Sequence, residues 1–306
     1  MIPIQVLDET APLEAVVLGI GNEFGGTPDP AFAYDPKSLQ HIKEGVFPKE
    51  SDIVTEMSAF SEVLLKYNVK VYRPENIFGL NQVFSRDIGM VIGDQFIVPH
   101  ILDEREKEIE GIRYIINQIP EKSRLTVDES ARLEGGDIMP YNGKIFAGYS
   151  EEPDFQQYKV SRTNGAAIDF LTKSFPDWDV QAYQLKKSDV DPFENALHLD
   201  CCFQPIGEDM AIMYRGGFKY EEDADRLMAQ FGTDKVIEVT KQEMYAMNSN
   251  VFSISPKVVV SEKSFTRLNQ EMRQRGLIVE EISYFEISKM EGLLRCSTLP
   301  LKRSYV

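Results

Sequence analysis

Apolar residues along this chain come in short runs, two at a time. The segments SRDIGMVIGDQFIVPH (85–100), EGGDIMPYNGKIFAGYS (134–150), HLDCCFQPIGEDMAIMYR (198–215) and NSNVFSISPKVVVSEK (248–263) each open on polar residues and run into an apolar strand. Each then turns, at a signal such as Gly-Asp, Asn-Gly or Ser-Pro, and returns as a second apolar strand, which predicts a β-hairpin. A helix-like stretch follows each hairpin, at 103–119, 163–175, 220–232 and 264–276, and a further strand closes each unit: RLTVD, VQAYQL, KVIEVT and LIVEEIS. The predicted unit is strand–strand–helix–strand, an α/β pattern.

Asp87, Asp137, Asp200 and Asn250 hold equivalent places in the four units, at steps of 50, 63 and 50 residues, and a further step of 46 reaches Cys296. The strand CSTLPL that begins there has no second hairpin strand after it. Near the other terminus LEAVVLGI (13–20) is unpaired, and it is followed by its own helix (51–68) and by the strand VKVYRP (69–74). Pairing the two termini predicts a fifth unit and a closed ring, in one domain over residues 1–306. A closed radial array leaves few exposed sheet edges, and it would gather the opening residues of every unit near the axis.

The bulk properties narrow the possibilities. A chain of 306 residues with 42% hydrophobic content can bury a full core. The first thirty residues lack a basic leader, and no apolar run approaches the roughly 18 residues needed to span a bilayer, so a soluble, cytoplasmic protein is expected. Three cysteines, two of them adjacent at Cys201 and Cys202, suit a reducing compartment and do not make a disulfide framework. The three histidines, His41, His100 and His198, stand in no CxxC or HExxH pattern, so no metal site is expected. A net charge of −16 repels nucleic acid and anionic membranes and suits a small cationic substrate.

The residues gathered at the axis would be Asp87, Glu134, Asp137, His198, Asp200, Asn250 and Cys296. A thiol, an imidazole and several carboxylates make a nucleophile, an acid/base and a cation-binding set. The thiol needs something that lowers its pKa, either a nearby His198 or a bound cation. Glu134 is the expected partner that orients His198. Asp87 and Asp200 would grip a planar charged group of the guanidinium kind through paired hydrogen bonds. Each residue also has a structural reading: a cysteine as a small core hydrophobe, Arg86 as an ion-pair partner of Asp87, and the EGGD glycines as a turn with positive φ. Cys201 and Cys202 are expected to pack.

Six motifs in this order, RD (86–87), EGGD (134–137), SRTN (161–164), HLD (198–200), NSNVFSI (248–254) and the near-terminal Cys296, resemble the pentein superfamily of guanidino-modifying enzymes. That superfamily includes arginine deiminase, dimethylarginine dimethylaminohydrolase and glycine amidinotransferase. The resemblance implies a five-bladed β/α propeller of pseudo-fivefold ββαβ repeats with catalysis at its axis. It implies that Cys296 attacks the guanidinium carbon, and that His198 protonates the departing amine and then activates the second nucleophile. Glu134 would bind His198 and substrate, Asp87 and Asp200 would hold the guanidinium nitrogens, Asp137 would also bind substrate, and Arg162 would read a substrate carboxylate. No cofactor is implied, and a homodimer is common on this kind of fold. Where the family has paired glycines before the nucleophile, this chain has Glu291, Gly292, Leu293 and Leu294. Arg295 would either assist Arg162 or pair with Glu291. EGGD and SRTN look like the hydrolases, whereas the first ninety residues look more like the amidinotransferases. Hydrolysis of arginine or a close derivative is the first expectation, amidino transfer the second, and a binder without catalysis the third.

Overall fold

Asn142 and Gly143 both take left-handed backbone angles, φ 48° and 73°, as in a two-residue hairpin turn whose twist suits the strands it joins. The computed structural model, which describes residues 1–305, builds its blades on an antiparallel pair of strands with a parallel third strand outside. The first blade holds β1 (Leu13–Leu18), the helices α1 (Pro36–Lys43) and α2 (Glu50–Lys66), and β2 (Lys70–Tyr72) parallel to β1. In the second, β3 (Met90–Ile92) and β4 (Gln95–Val98) form the hairpin, and β5 (Arg124–Thr126) follows the short α3 (Arg113–Ile116). The third runs β6 (Ile138–Tyr141), β7 (Lys144–Tyr149), α4 (Glu152–Gln157), α5 (Gly165–Ser174) and β8 (Asp179–Gln184). The fourth has β9 (Phe203–Ile206), β10 (Met210–Met213), α6 (Glu221–Met228) and β11 (Val236–Glu238). After α7 (Lys241–Tyr245), the fifth has β12 (Phe252–Ser255), β13 (Val258–Glu262), α8 (Thr266–Gln274) and β14 (Ile278–Ile282).

Past α9 (Phe285–Ser288), the chain returns as β15 (Thr298–Arg303), which pairs antiparallel with β1 in the register Leu18↔Thr298 and Val17↔Leu299. The two termini therefore complete the first blade, giving five three-stranded sheets in a β/α propeller. Helices pack between blades. Phe60 of α2 lies edge-on against Phe252, at 5.8 Å between centroids, and Tyr284, at 5.6 Å, so α2 locks the first blade to the fifth. Burying such a ring contributes about 1.5–3 kcal/mol. Among the described residues, no helix is long and apolar enough to cross a membrane.

Two expectations change. The helix expected over 103–119 is a 3₁₀ helix, Asp103–Ile112, followed by the single α turn of α3. Three residues per turn eclipse positions i and i+3, which sets Arg105 and Glu108 on one face; both are buried and paired, Arg105 Nε donating to Glu108 Oε1 at 2.9 Å. Cys296 lies in a turn ahead of β15, not in the strand. Its backbone N–H goes to Asn250 Oδ1 at 3.1 Å, and its carbonyl accepts from the Arg86 N–H at 2.9 Å, so neither group is free for a ladder.

Those two bonds belong to a closed circuit around the axis. Asp87 Oδ1 accepts from the Gly136 N–H at 3.0 Å, Asp137 Oδ1 from the Leu199 N–H at 2.9 Å, and the Asp200 carbonyl from Asn250 Nδ2 at 3.3 Å. Each blade is stitched to the next by the residue at its repeat position. The spacing visible in the sequence is the spacing of these links.

Candidate active site

The inner strands converge on a cavity of about 350 Å³ whose wall includes Cys296, His198, Asp87 and Arg162. Cys296 is buried, and its Sγ accepts from Asn250 Nδ2 at 3.1 Å and lies 3.6 Å from Asp200 Oδ2. Burial, and then the negative charges of Asp200 and Asp87, push the thiol well above the ordinary cysteine range. These surroundings favour the thiol over the thiolate at Cys296.

His198 presents Nε2 to Glu134 Oε2 at 2.9 Å, with Nδ1 3.9 Å from Asp87 Oδ1. Burial works against a charged ring here, but Asp87, the Glu134 bond and Asp137 outweigh it and hold the imidazole above its ordinary pKa. Burial likewise opposes ionisation of Glu134, yet Arg162, His198 and Arg105 together hold its carboxyl well below the usual range. Arg162 Nη1 donates to Glu134 Oε2 at 3.1 Å, and the Leu102 N–H donates to Oε1 at 3.1 Å. Both shifts favour an imidazolium on a carboxylate, the form of the pair that can give up a proton.

The glycines of EGGD answer a need for space, and neither takes the positive φ that a turn would give. A Cβ on Gly136 would stand 2.6 Å from the His198 ring, and one on Gly135 would stand 2.0 Å from the Arg86 carbonyl oxygen. Gly136→Ala is expected to push His198 off Glu134 and lower kcat roughly 100-fold, the scale of a lost acid/base group. Circular dichroism beside steady-state kinetics checks this; an unchanged kcat would mean that the ring has room to yield. In SRTN, Asn164 caps α5 through the Ala167 N–H at 3.1 Å, and Thr163 Oγ1 accepts from the Glu134 N–H at 3.3 Å. That motif fixes Arg162, whose Nη2 donates to the Tyr34 carbonyl at 3.0 Å.

The structure brings Cys296, His198, Glu134, Asp87, Asp200 and Arg162 together, with four amendments. Asp137 does not line the cavity; its Oδ1 holds the Leu199 backbone, so it positions the His198–Asp200 segment. Glu134 and Asp200 lie directly behind His198 and Cys296, so of the two expected clamp residues it is Asp87 that faces the opening. Arg295 neither joins Arg162 nor pairs with Glu291. Its Nη1 donates to Asp200 Oδ2 at 2.8 Å, while Nε and Nη2 fork onto Glu9 at 3.2 and 3.1 Å. Arg86 leans on the same network, 3.7 Å from Glu9 Oε1, and is not the partner of Asp87.

The partner of Asp87 is Arg105, whose Nη1 donates to Oδ2 at 2.8 Å. Arg105 and Glu108 line the cavity, and burial lifts the Glu108 carboxyl to about 6 against the pull of Arg105. Sequence reasoning missed both, because EREKE reads as a solvated charged face and an i,i+3 ion pair has the same spacing inside or outside. Glu9, Asp35 and Glu291 were missed as contributors for want of any repeat phase. Asp87, Glu134 and His198 place ligand atoms within 4.8 Å of one another, a spacing that could hold a metal ion. Arg105 and Arg162 on the same carboxylates, with the His198 nitrogen already on Glu134, fill that space with cations.

The sequence profile of the family described as N,N dimethylarginine dimethylhydrolase, eukaryotic, matches residues 44–303. The uncharacterized protein YkgA of Bacillus subtilis is 31% identical over 248 residues, covering 80% of this chain and 79% of the relative. The arginine deiminase of Streptococcus uberis is 25% identical over 258 residues, covering 73% of this chain; the chain spans 60% of that relative's length. Among solved structures, the N-terminal domain of ArgZ, an arginine dihydrolase from cyanobacteria, superposes with a TM-score of 0.77 at 16% identity, over 94% of this chain and 98% of that one.

Proposed function

We propose that this chain, which belongs to the N,N dimethylarginine dimethylhydrolase family of the pentein superfamily, hydrolyses the guanidino group of arginine or a close derivative through a covalent intermediate on Cys296. The observation that carries the reading is that one cavity is lined by the Cys296 thiol, beside Asp200, and by His198, held by Glu134. A guanidinium entering against Asp87 brings the positive charge that the buried thiol lacks. Each Asp87 oxygen accepts one bond from the protein, leaving lone pairs for a ligand. The approach of the cation offsets the repulsion from Asp200 and Asp87, and Cys296 releases its proton to solvent as the site fills.

The thiolate forms a bond to the guanidinium carbon, and His198 donates its proton to the departing nitrogen as that C–N bond breaks. The dyad supports this order, since Glu134 stabilises the charged ring before chemistry begins. With the amine gone, neutral His198 takes a proton from water as the oxygen bonds to the carbon. Collapse then breaks the C–S bond, and the departing Cys296 thiolate takes up the hydroxyl proton as the carbonyl forms, which leaves a ureido product and restores the thiol.

The test is intact-protein mass spectrometry after rapid acid quench with arginine, alongside product analysis with and without acceptor amines. An amidino adduct on Cys296 that discharges to water, giving citrulline and ammonia, is the expected result. Discharge only to an added amine, giving ornithine, would replace hydrolysis by amidino transfer. Absence of an adduct with arginine and with its N-methylated forms would sink the covalent reading.

A further inference from the structure

We propose that Lys187 is a positioning residue for His198: its ammonium ties down the two peptide carbonyls that immediately precede the imidazole, and so sets where the ring stands against Glu134. This rests on the acid/base role given to His198 above. Lys187 Nζ donates to the Ala196 carbonyl at 2.8 Å and to the Leu197 carbonyl at 2.7 Å. Leu197 and His198 line the cavity, whereas Lys187 does not. Its influence on the chemistry therefore runs through the main chain.

The stretch from Asn195 to His198 belongs to no helix or strand. Its backbone is extended at both ends, with φ −115° and ψ 119° at Asn195 and φ −134° and ψ 170° at His198. The Ala196 N–H donates to the Lys186 carbonyl at 2.9 Å, which closes a loop from whose base the Lys187 side chain reaches back. Ala196 and Leu197 are both buried, and among the described residues no other donor reaches either carbonyl. A buried carbonyl that loses its partner forfeits its bond to water without replacement. Lys187 is thus what allows this stretch to run straight into the site.

The other side of His198 is held as well. The Leu199 N–H donates to Asp137 Oδ1 at 2.9 Å, and Gly136 backs the ring so closely that a Cβ would stand 2.6 Å from it. A cation holds the carbonyls before His198, and an anion holds the N–H after it. Asp137 favours the charged form of Lys187 against burial, and Lys187 favours the charged form of Asp137. Without the ammonium, two acceptors next to His198 are stranded, and the chain regains partners only by moving. A displacement on the order of 1 Å is enough to cost about 100-fold in rate.

The test separates the placement of His198 from general damage through the proton that a leaving group needs. Arginine loses ammonia, which departs only as His198 protonates it. S-methyl-L-thiocitrulline, with a methylthio group in place of that amine, loses methanethiolate without that proton, and both compounds leave the same adduct on Cys296. Rapid acid quench and intact-protein mass spectrometry follow adduct formation in wild type and Lys187→Met. Formation from arginine is expected to fall roughly 10- to 100-fold, and formation from S-methyl-L-thiocitrulline by less than about 3-fold. Beside it, NMR titration of the three histidine rings, with His198→Gln for assignment, reads the ring without any reaction. The groups that face it are Asp87, Glu134 and Asp137, with Arg105 on the first and Arg162 on the second. A ring that has left Glu134 titrates lower than in wild type, whereas one that has stayed and merely lost a neighbouring cation titrates higher. The lower value is expected. Equal losses with the two substrates, no loss with arginine, or a ring that titrates unchanged or higher would overturn the proposal. A wild type that forms no adduct with either compound would overturn the reaction, and the ring titration would then decide the role of Lys187. If circular dichroism shows Lys187→Met unfolded, Lys187→Gln, whose amide keeps a donor, is read by the same two measurements.

Discussion

Cys296→Ala is expected to abolish turnover of arginine-like substrates, with a loss on the order of 10⁴-fold or more, as for removal of a nucleophile from a unit that acts together. Cys201→Ala and Cys202→Ala should keep most of the activity. The three thiols are all buried, yet their surroundings differ. Cys296 lines the cavity and shares Asn250 with the chain turn that carries it. Cys201 packs in the core below, 3.8 Å from Asp200 Oδ1, and Cys202 Sγ contacts the Leu199 carbonyl at 3.5 Å. Burial pushes the Cys201 and Cys202 thiols up, and neither lies where a cationic ligand could lower them. Steady-state release of ammonia and citrulline, with circular dichroism to verify folding, makes the comparison. A Cys296→Ala enzyme within tenfold of wild type would remove the covalent route, whatever the other two variants did.

Arg295→Ala is expected to cost about 3–5 kcal/mol of stability, because it strands buried Glu9 and Asp200 without their cation. That is a large part of the 5–15 kcal/mol that holds a typical domain folded. Arg295 has no solvent exposure, and its guanidinium also donates to the carbonyls of Gly136, at 3.3 Å, and Ile138, at 2.8 Å. Arg86 and Arg303 offset only part of the Glu9 charge; burial opposes its ionisation, and Arg295 is the leading cause that brings its pKa down to about 2. Urea unfolding of the single variant, of Glu9→Gln and of the double variant forms a cycle that isolates the coupling. A double variant no less stable than Arg295→Ala alone would confirm that the stranded charge is the main cost. A loss under about 1 kcal/mol in Arg295→Ala would show that solvent or a rearranged Arg86 fills the gap, against the network described here.

Much of the architecture was legible before any coordinates. Hairpin turns, outer strands and most helices fell where alternation and turn residues placed them, because a half-buried strand must alternate and a tight turn needs residues such as Asn142 and Gly143. The phase of Asp87, Asp137, Asp200, Asn250 and Cys296 was legible too, since a repeated backbone link needs a polar residue at a repeated position. Repeat phase could not tell a link from a reagent. Asp137 and Asn250 share the phase of Cys296 yet bind backbone or support the thiol, and only the cavity distinguishes those roles.

By itself, then, the sequence determined the repeat, the pairing of its two ends and the cluster of Cys296, His198 and Glu134 at the axis. Local patterns determine local structure, and a closed ring follows from five such patterns. Only the tertiary structure decided which charges meet. Arg295 could equally have reached Arg162's ligand or Glu291, and it went to Glu9 and Asp200, since its burial demands counter-charges that only a distant segment supplies. Arg105 left an outwardly solvated run for Asp87 and Glu108 through a 3₁₀ turn. Asp35 and Glu291, 256 positions apart, line one cavity. Pairings of this kind depend on distance and desolvation in three dimensions, and spacing along the chain carries no trace of them.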